Sequence, residues 1–332
     1  MQGKMKFQLT SLLLTALGAS TCLGAPTLVK RASRTSAPSG CLSVKPGTTT
    51  SGWYQTLTAA LNSLSGTSSA CIFLYSGTYN EQVVIQYGGP LTIYGYTTNT
   101  GTYKDNTVTI TRTISSPEAG NLDASSTVQV KSNKFSMYNI NVVNGYGAGA
   151  QAVALTANGN QQGYYGCQFD SYQDTLYAKA GDQYYSNCYI AGATDYIFGK
   201  AAAWFGECTI ASKAGGAITA NSREETSDTT WYVIDHSTIT SVSGTSLSGK
   251  VYLGRPWRVL ARVIYQYNTL TSVVAAAGWT TLADNATPIF QEYQNTGDGS
   301  STSSRVYETA TSTAVTKSVL WPNGYSWIDT SY

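Results

Sequence analysis

The sequence predicts an all-β fold of stacked parallel coils, a parallel β-helix, and three observations lead there. Tetrapeptides centred on cysteine recur: Gly166-Cys167-Gln168-Phe169, Asn187-Cys188-Tyr189-Ile190 and Glu207-Cys208-Thr209-Ile210, at spacings of 21 and 20 residues. The same frame continues upstream as Asn139-Ile140-Asn141-Val142, after an insertion of about six residues, and downstream as His236-Ser237-Thr238-Ile239, after a longer one. Each unit reads as a short strand with alternate side chains turned inward, bounded by Gly, Asn or Asp. A strand-only repeat in the twenties calls for coils stacked along an axis. Leucine-rich repeats share the period but need leucine at fixed places, and these segments lack it.

Taken in chain order, the elements begin with a secretion signal. Lys4 and Lys6 precede an apolar run around Leu12, Leu13, Leu14 and Leu17, and small residues follow at Cys22, Gly24 and Ala25. The run is too short for a membrane span, so the expectation is a secreted, extracellular protein without a membrane segment. Residues 1–24 form the signal, residues 25–40 a short segment open to processing at Lys30-Arg31, and residues 41–332 one domain. Without residues 1–24 the balance of 20 basic and 18 acidic residues becomes 18 and 18, since only two lysines leave. No basic patch remains to suggest nucleic acid. Charged residues make up 11% of the chain, against about 25% in an average domain. Tyr, Ser, Thr, Asn and Gly fill the surface instead, which suits a β-rich protein that meets sugars.

The segment Trp53–Leu64 has Tyr54, Leu57, Leu61 and Leu64 on one helical face and is expected to cap the N-terminal end of the coil stack. Cys41 and Cys71 are near enough in sequence to pair. Stacking of the repeat makes Cys167, Cys188 and Cys208 an inward ladder, preferred over a metal site because neither CxxC nor a histidine cluster accompanies them. Tyr164, Tyr165, Tyr184 and Tyr185 also recur with the coils, and the sequence leaves open whether they line a cleft or stack inside.

Two acids share that frame. Asp174 lies seven residues after Cys167, and Asp195 seven after Cys188. If the cysteines stack, the aspartates stack too, roughly one strand spacing of 4.8 Å apart. Carboxylates that close do not both ionise easily, so one is held protonated as an acid while the other remains an anion. Either aspartate alone reads as a turn former; the pair in register, among hydrophobic neighbours, points to chemistry. The single histidine, His236, sits in a turn-like position with no GxSxG element, which disfavours a Ser-His-Asp hydrolase. Neither a phosphate loop nor a zinc or calcium motif is present.

At these residues the chain resembles the pectinesterases, or pectin methylesterases. Five blocks carry the resemblance, in the family's order: Gly77-Thr78-Tyr79-Asn80-Glu81, Gln151-Ala152-Val153-Ala154-Leu155, Gln173-Asp174-Thr175-Leu176-Tyr177, Asp195-Tyr196-Ile197-Phe198-Gly199 and Leu253-Gly254-Arg255-Pro256-Trp257. The resemblance extends from about Cys41 to Tyr293. The long N-terminal inhibitor-like region of many plant members is missing, so the likeness is to the short microbial, fungal type. Tyr75-Ser76 departs from the charged or proline residues many members carry there.

The resemblance implies a right-handed parallel β-helix with its site in a long surface cleft. It implies hydrolysis of the C6 methyl esters of homogalacturonan, the backbone of pectin, to methanol and a free carboxylate, with no metal or organic cofactor. Residue by residue, it makes Asp195 the nucleophile and Asp174 the general acid and base. Gln151 and Gln173 become the oxyanion donors, Arg255 the partner that orients Asp195, and Trp257 and Thr78 substrate-binding residues. The competing expectations are a pectin-degrading β-helical glycosidase, which also uses two carboxylates, and a non-catalytic polysaccharide-binding β-helix. The two glutamines and the LGRPW block favour the esterase. A monomer is expected, and the sequon Asn285-Ala286-Thr287 precedes Pro288.

Overall fold

The computed structural model describes residues 32–332. The expected signal, the Lys30-Arg31 pair and the first part of the segment from residue 25 lie outside them. Three parallel sheets of ten, eight and seven strands run side by side along one axis. A single turn of the chain visits each in order: Gln162–Tyr165 in the first sheet, Gln168–Asp170 in the second, Leu176–Ala180 in the third. The chain then returns to the first sheet as Asp182–Ser186, paired in parallel with Gln162–Tyr165. The coils wind right-handed, the hand that parallel crossovers favour.

The frame read from the sequence is the frame of the sheets. Gln168 pairs with Asn141 on one side and Tyr189 on the other, and the ladder continues through Thr209 to Thr238. The residue two places before each of these sits in the left-handed region: Asn139, Gly166, Asn187, Glu207 and His236, with φ of 54°, 59°, 52°, 54° and 45°. That conformation costs little for Gly and Asn and more for other residues. A repeated αL residue turns the chain sharply from the first sheet into the second, so the units begin on Gly and Asn where the sequence allows.

Inside the coils, side chains stack on themselves. Cys167, Cys188 and Cys208 are unpaired and buried, each sulfur facing backbone carbonyls. Beside them Tyr164, Tyr185 and Phe205 form an aromatic ladder, with ring centroids 4.8 and 4.6 Å apart and nearly parallel planes. Removing each such side chain from water is worth about 1.5–3 kcal/mol. Tyr165 and Tyr184 point the other way, onto the outer face of the first sheet, where the C-terminal segment covers them through Leu320, Trp321 and Ile328. None of the four tyrosines reaches the cleft described below.

The N-terminal cap is shorter than expected. The helix runs over Leu57–Ser63 rather than from Trp53, because Tyr54 is taken by the first sheet: its N–H donates to the Ser43 carbonyl at 2.9 Å. Thr56 caps the helix, its hydroxyl accepting from Ala59 N–H, and the Glu81 carboxylate accepts from Leu57 and Thr58 N–H at 2.8 and 2.9 Å. Leu57 and Ala60 are buried against the first coil. Cys41 and Cys71 form a disulfide closing a 30-residue separation, worth about 3–4 kcal/mol in loop entropy.

Candidate active site

The site is built on the outer side of the third sheet. Leu176 pairs with Ile197 in the parallel ladder, so Asp174 and Asp195, two residues earlier in each coil, lie on adjacent turns as the sequence frame requires. Gln173 and Thr194 bridge between them. The Asp174 N–H donates to the Thr194 carbonyl at 3.1 Å and the Asp195 N–H to Ala217 at 2.7 Å. Both aspartates are left-handed, with φ of 64° and 50°, a region Asp tolerates better than most side chains. Local strain of this kind holds a side chain in one direction when the surrounding ladder fixes the backbone.

Arg255 arrives from the strand Val251–Pro256, in the column that runs Tyr177, Phe198, Ala220, Arg255. Ala220 is the small member of that column, and its methyl group leaves room for the guanidinium to lie back toward Asp195. The contact is a fork: Arg255 Nε to Asp195 Oδ1 at 2.8 Å and Nη2 to Oδ2 at 2.6 Å. Bidentate pairs of this geometry are among the stronger polar contacts. Asp174 has no such partner. Burial, and next the charge of Asp195, push its carboxyl up to about 8 from 3.8, against a smaller opposing pull from Arg255. Asp174 and Asp195 are only 8% and 9% exposed, so a carboxyl whose hold on its proton burial strengthens and a carboxyl gripped by Arg255 lie on adjacent coils, both largely buried.

These groups open into a cleft of about 610 Å³. Gln151 and Gln173 line it beside the acids, and Trp257 and Phe198 give it an apolar wall. That wall is braced from below: Tyr177 stacks on Phe198 at 4.3 Å, and Trp257 meets Phe198 edge-on at 5.8 Å. The structure thus brings together Asp174, Asp195, Gln151, Gln173, Arg255 and Trp257, which are separated by up to 106 residues of chain.

Thr78 is the exception: it is not among the residues that line this cleft. It lies exposed on the strand Gly77–Asn80 at the end of the second sheet, away from the cleft lining. The reason is local. Tyr79 points inward and its hydroxyl donates to the Val44 and Tyr75 carbonyls, while Glu81 caps the helix; the block from Gly77 to Glu81 closes the end of the fold. Other cleft residues had no signal in the sequence. Leu122 comes from a pair of short helices, Ser116–Ala119 and Leu122–Ser125, and Leu282, Ala283 and Asp284 from a loop after Trp279. All lie in insertions that carry no repeat. His236 stands outside the cleft, stacked on Tyr267.

A deciding observation comes from comparison with known proteins. The family model described as Pectinesterase matches residues 44–321. The chain belongs to the pectinesterase family. As a pectinesterase it is a carboxylic ester hydrolase, which sets aside the glycosidase and the pure binding module. It is 61% identical over 329 residues to "Probable pectinesterase A" of Aspergillus niger, covering 97% of this chain and 99% of that one. It is 58% identical to "Pectinesterase A" of Emericella nidulans, over 99% and 100% of the two chains. Among solved structures, the deglycosylated pectin methylesterase of Aspergillus niger superposes with a TM-score of 0.87 at 62% identity, over 90% of this chain and all of that one. The carrot pectin methylesterase does so with 0.73 at 29% identity, over 82% and 87%. The likeness to the plant structure thus persists at less than half the identity of the fungal one.

Proposed function

We propose that this pectinesterase cleaves the C6 methyl esters of homogalacturonan with Asp195 as nucleophile and Asp174 as general acid, then base. The observation that carries the reading is the unequal pair: Asp195 gripped by the Arg255 fork, Asp174 held neutral to about pH 8. An Asp195 oxygen attacks the ester carbonyl, and the carbonyl electrons move onto its oxygen. Gln151 and Gln173, neutral amide donors on the same wall, serve that oxyanion. As it collapses, the bond to methoxide breaks and the Asp174 proton passes to the leaving oxygen, releasing methanol and leaving an acyl anhydride on Asp195. Asp174, now ionised, takes a proton from water as the water oxygen attacks the anhydride. The bond to Asp195 breaks, and a galacturonic acid group and both starting carboxyls are regenerated. Trp257 offers the apolar face of its ring to a sugar, as suits an open cleft.

The apolar start led by Lys4 and Lys6 supports an extracellular enzyme, tested by N-terminal sequencing of the secreted chain; a monomer is expected, tested by light scattering. The central test is methanol release from highly methylated pectin with chain length followed in parallel. Wild-type enzyme should release methanol at constant chain length, and Asp195→Asn should lose on the order of 10⁴-fold or more. Substantial methanol release by a folded Asp195→Asn would end the nucleophile assignment.

A further inference from the structure

The catalytic cleft does not end at the loop that forms its far wall. Leu282, Ala283 and Asp284 face the cleft on one side and a second trough of about 310 Å³ on the other. The second trough continues past Pro256 and Pro288 to Tyr307. Tyr307 is 53% exposed and Leu282 43%, among the most exposed large apolar side chains of the described residues. An exposed aromatic ring on a loose tail would mean little, but this one stands on a fixed base. Arg305, two residues earlier, is buried in a two-pronged ion pair with Glu292 at 2.7 and 2.9 Å, and its guanidinium also donates to the Ala275 and Gly299 carbonyls. Val306 N–H donates to Ala277 O, and Thr309 N–H to Phe290 O. Between these anchors Tyr307 takes φ of 58°, which is uncommon for a bulky residue and persists only where neighbours over-determine it.

We propose that this second trough is a distal sugar site, in which units of the same galacturonan chain bound at the catalytic cleft cross the Leu282 wall and stack on Tyr307. The inference rests on the cleft being the pectin site. Its occupant follows from continuity: a polymer in the first trough has the second as its extension, and a rigid, amphipathic ring half open to water is the surface a sugar face accepts. Pre-organisation of the ring lowers the ordering cost of binding there. Proline at both Pro256 and Pro288 adds stiffness to the trough floor.

Methyl-esterified oligogalacturonides of increasing length provide the test, with methanol release as the readout for wild type, Tyr307→Ala and Tyr307→Trp. Short oligomers, which fill the catalytic cleft alone, should be turned over alike by all three. On long oligomers Tyr307→Ala should lose about twofold to tenfold in kcat/KM, mainly through KM, and Tyr307→Trp should retain the wild-type value. Equal kcat/KM for wild type and Tyr307→Ala at every length would overturn the proposal, as would an equal loss at every length. The catalytic reading is judged separately by Asp195→Asn on the shortest substrate turned over, so the two failures are distinguishable.

Discussion

Two outward faces of the coil stack carry aromatic columns, and the chain treats them in opposite ways. On the first sheet Tyr138, Tyr165, Tyr184 and Trp204 are covered by the C-terminal segment, through Val315, Leu320, Trp321 and Ile328. On the third sheet Tyr177, Phe198 and Trp257 form a smaller apolar patch beside the paired aspartates, and no segment of the described residues closes over the cleft it borders. The physics of the two patches is the same: stacked rings on a flat, pleated surface gain by leaving water. On one side the cover is part of the protein and contributes stability. On the other, in the function proposed above, the substrate is the cover and its burial contributes binding.

The comparison breaks most sharply at its covered side. Trp321 is nearly buried, donates from Nε1 to the Ala202 carbonyl at 3.3 Å and meets Trp327 and Tyr184 edge-on. Trp321→Ala should cost about 3–5 kcal/mol of stability, seen in denaturant unfolding, with KM for pectin unchanged. A raised KM with stability intact would mean that this face also meets substrate. At the open side, Gln173→Ala should lower kcat by about 10²–10³-fold while the melting temperature holds, since its side chain lines the cleft and the backbone bridge to Thr194 is left in place. A smaller effect belongs to Trp257→Ala, which should raise KM about threefold to tenfold and leave kcat within a factor of a few. Stability loss as large as that of Trp321→Ala would erase the distinction between the two faces.

The comparison also explains what could be read in the sequence. The Cys167 to Asp174 and Cys188 to Asp195 intervals are equal, so a period found on buried cysteines carries over to polar residues seven places on; the ladder from Leu176 to Ile197 turns that arithmetic into adjacency. Tyr164 and Tyr165 resisted the same reasoning because both are buried, one inside the coils and one under a tail more than 150 residues later. Strand alternation tells in from out, and only tertiary contact tells a covered face from an open one. The helix starts later than spacing implies for a related reason: Tyr54 fits the helical face, and pairing with the first sheet takes it away. Thr78 sits in the block Gly77–Glu81, where Tyr79 and Glu81 tie the end of the fold together. The loop wall at Leu282 and the helix residue Leu122 lie in insertions that break the period, where a repeat carries no information.

The central claim is that two aspartates on neighbouring coils hold different protonation states, Asp174 neutral and Asp195 as the anion in the Arg255 fork. Carbon-13 NMR titration of the aspartate carboxyls, in wild type and in Asp174→Asn, tests it directly. Because the folded-state value of Asp174 is raised, its proton is held through neutral pH and lost as pH rises through about 8, and the general acid should disappear from kcat/KM over the same range. The account predicts one carboxyl titrating near 8 in the wild type and absent from Asp174→Asn. If that mutation removes instead a carboxyl titrating near 4, Asp174 is ionised at working pH and does not serve as the acid.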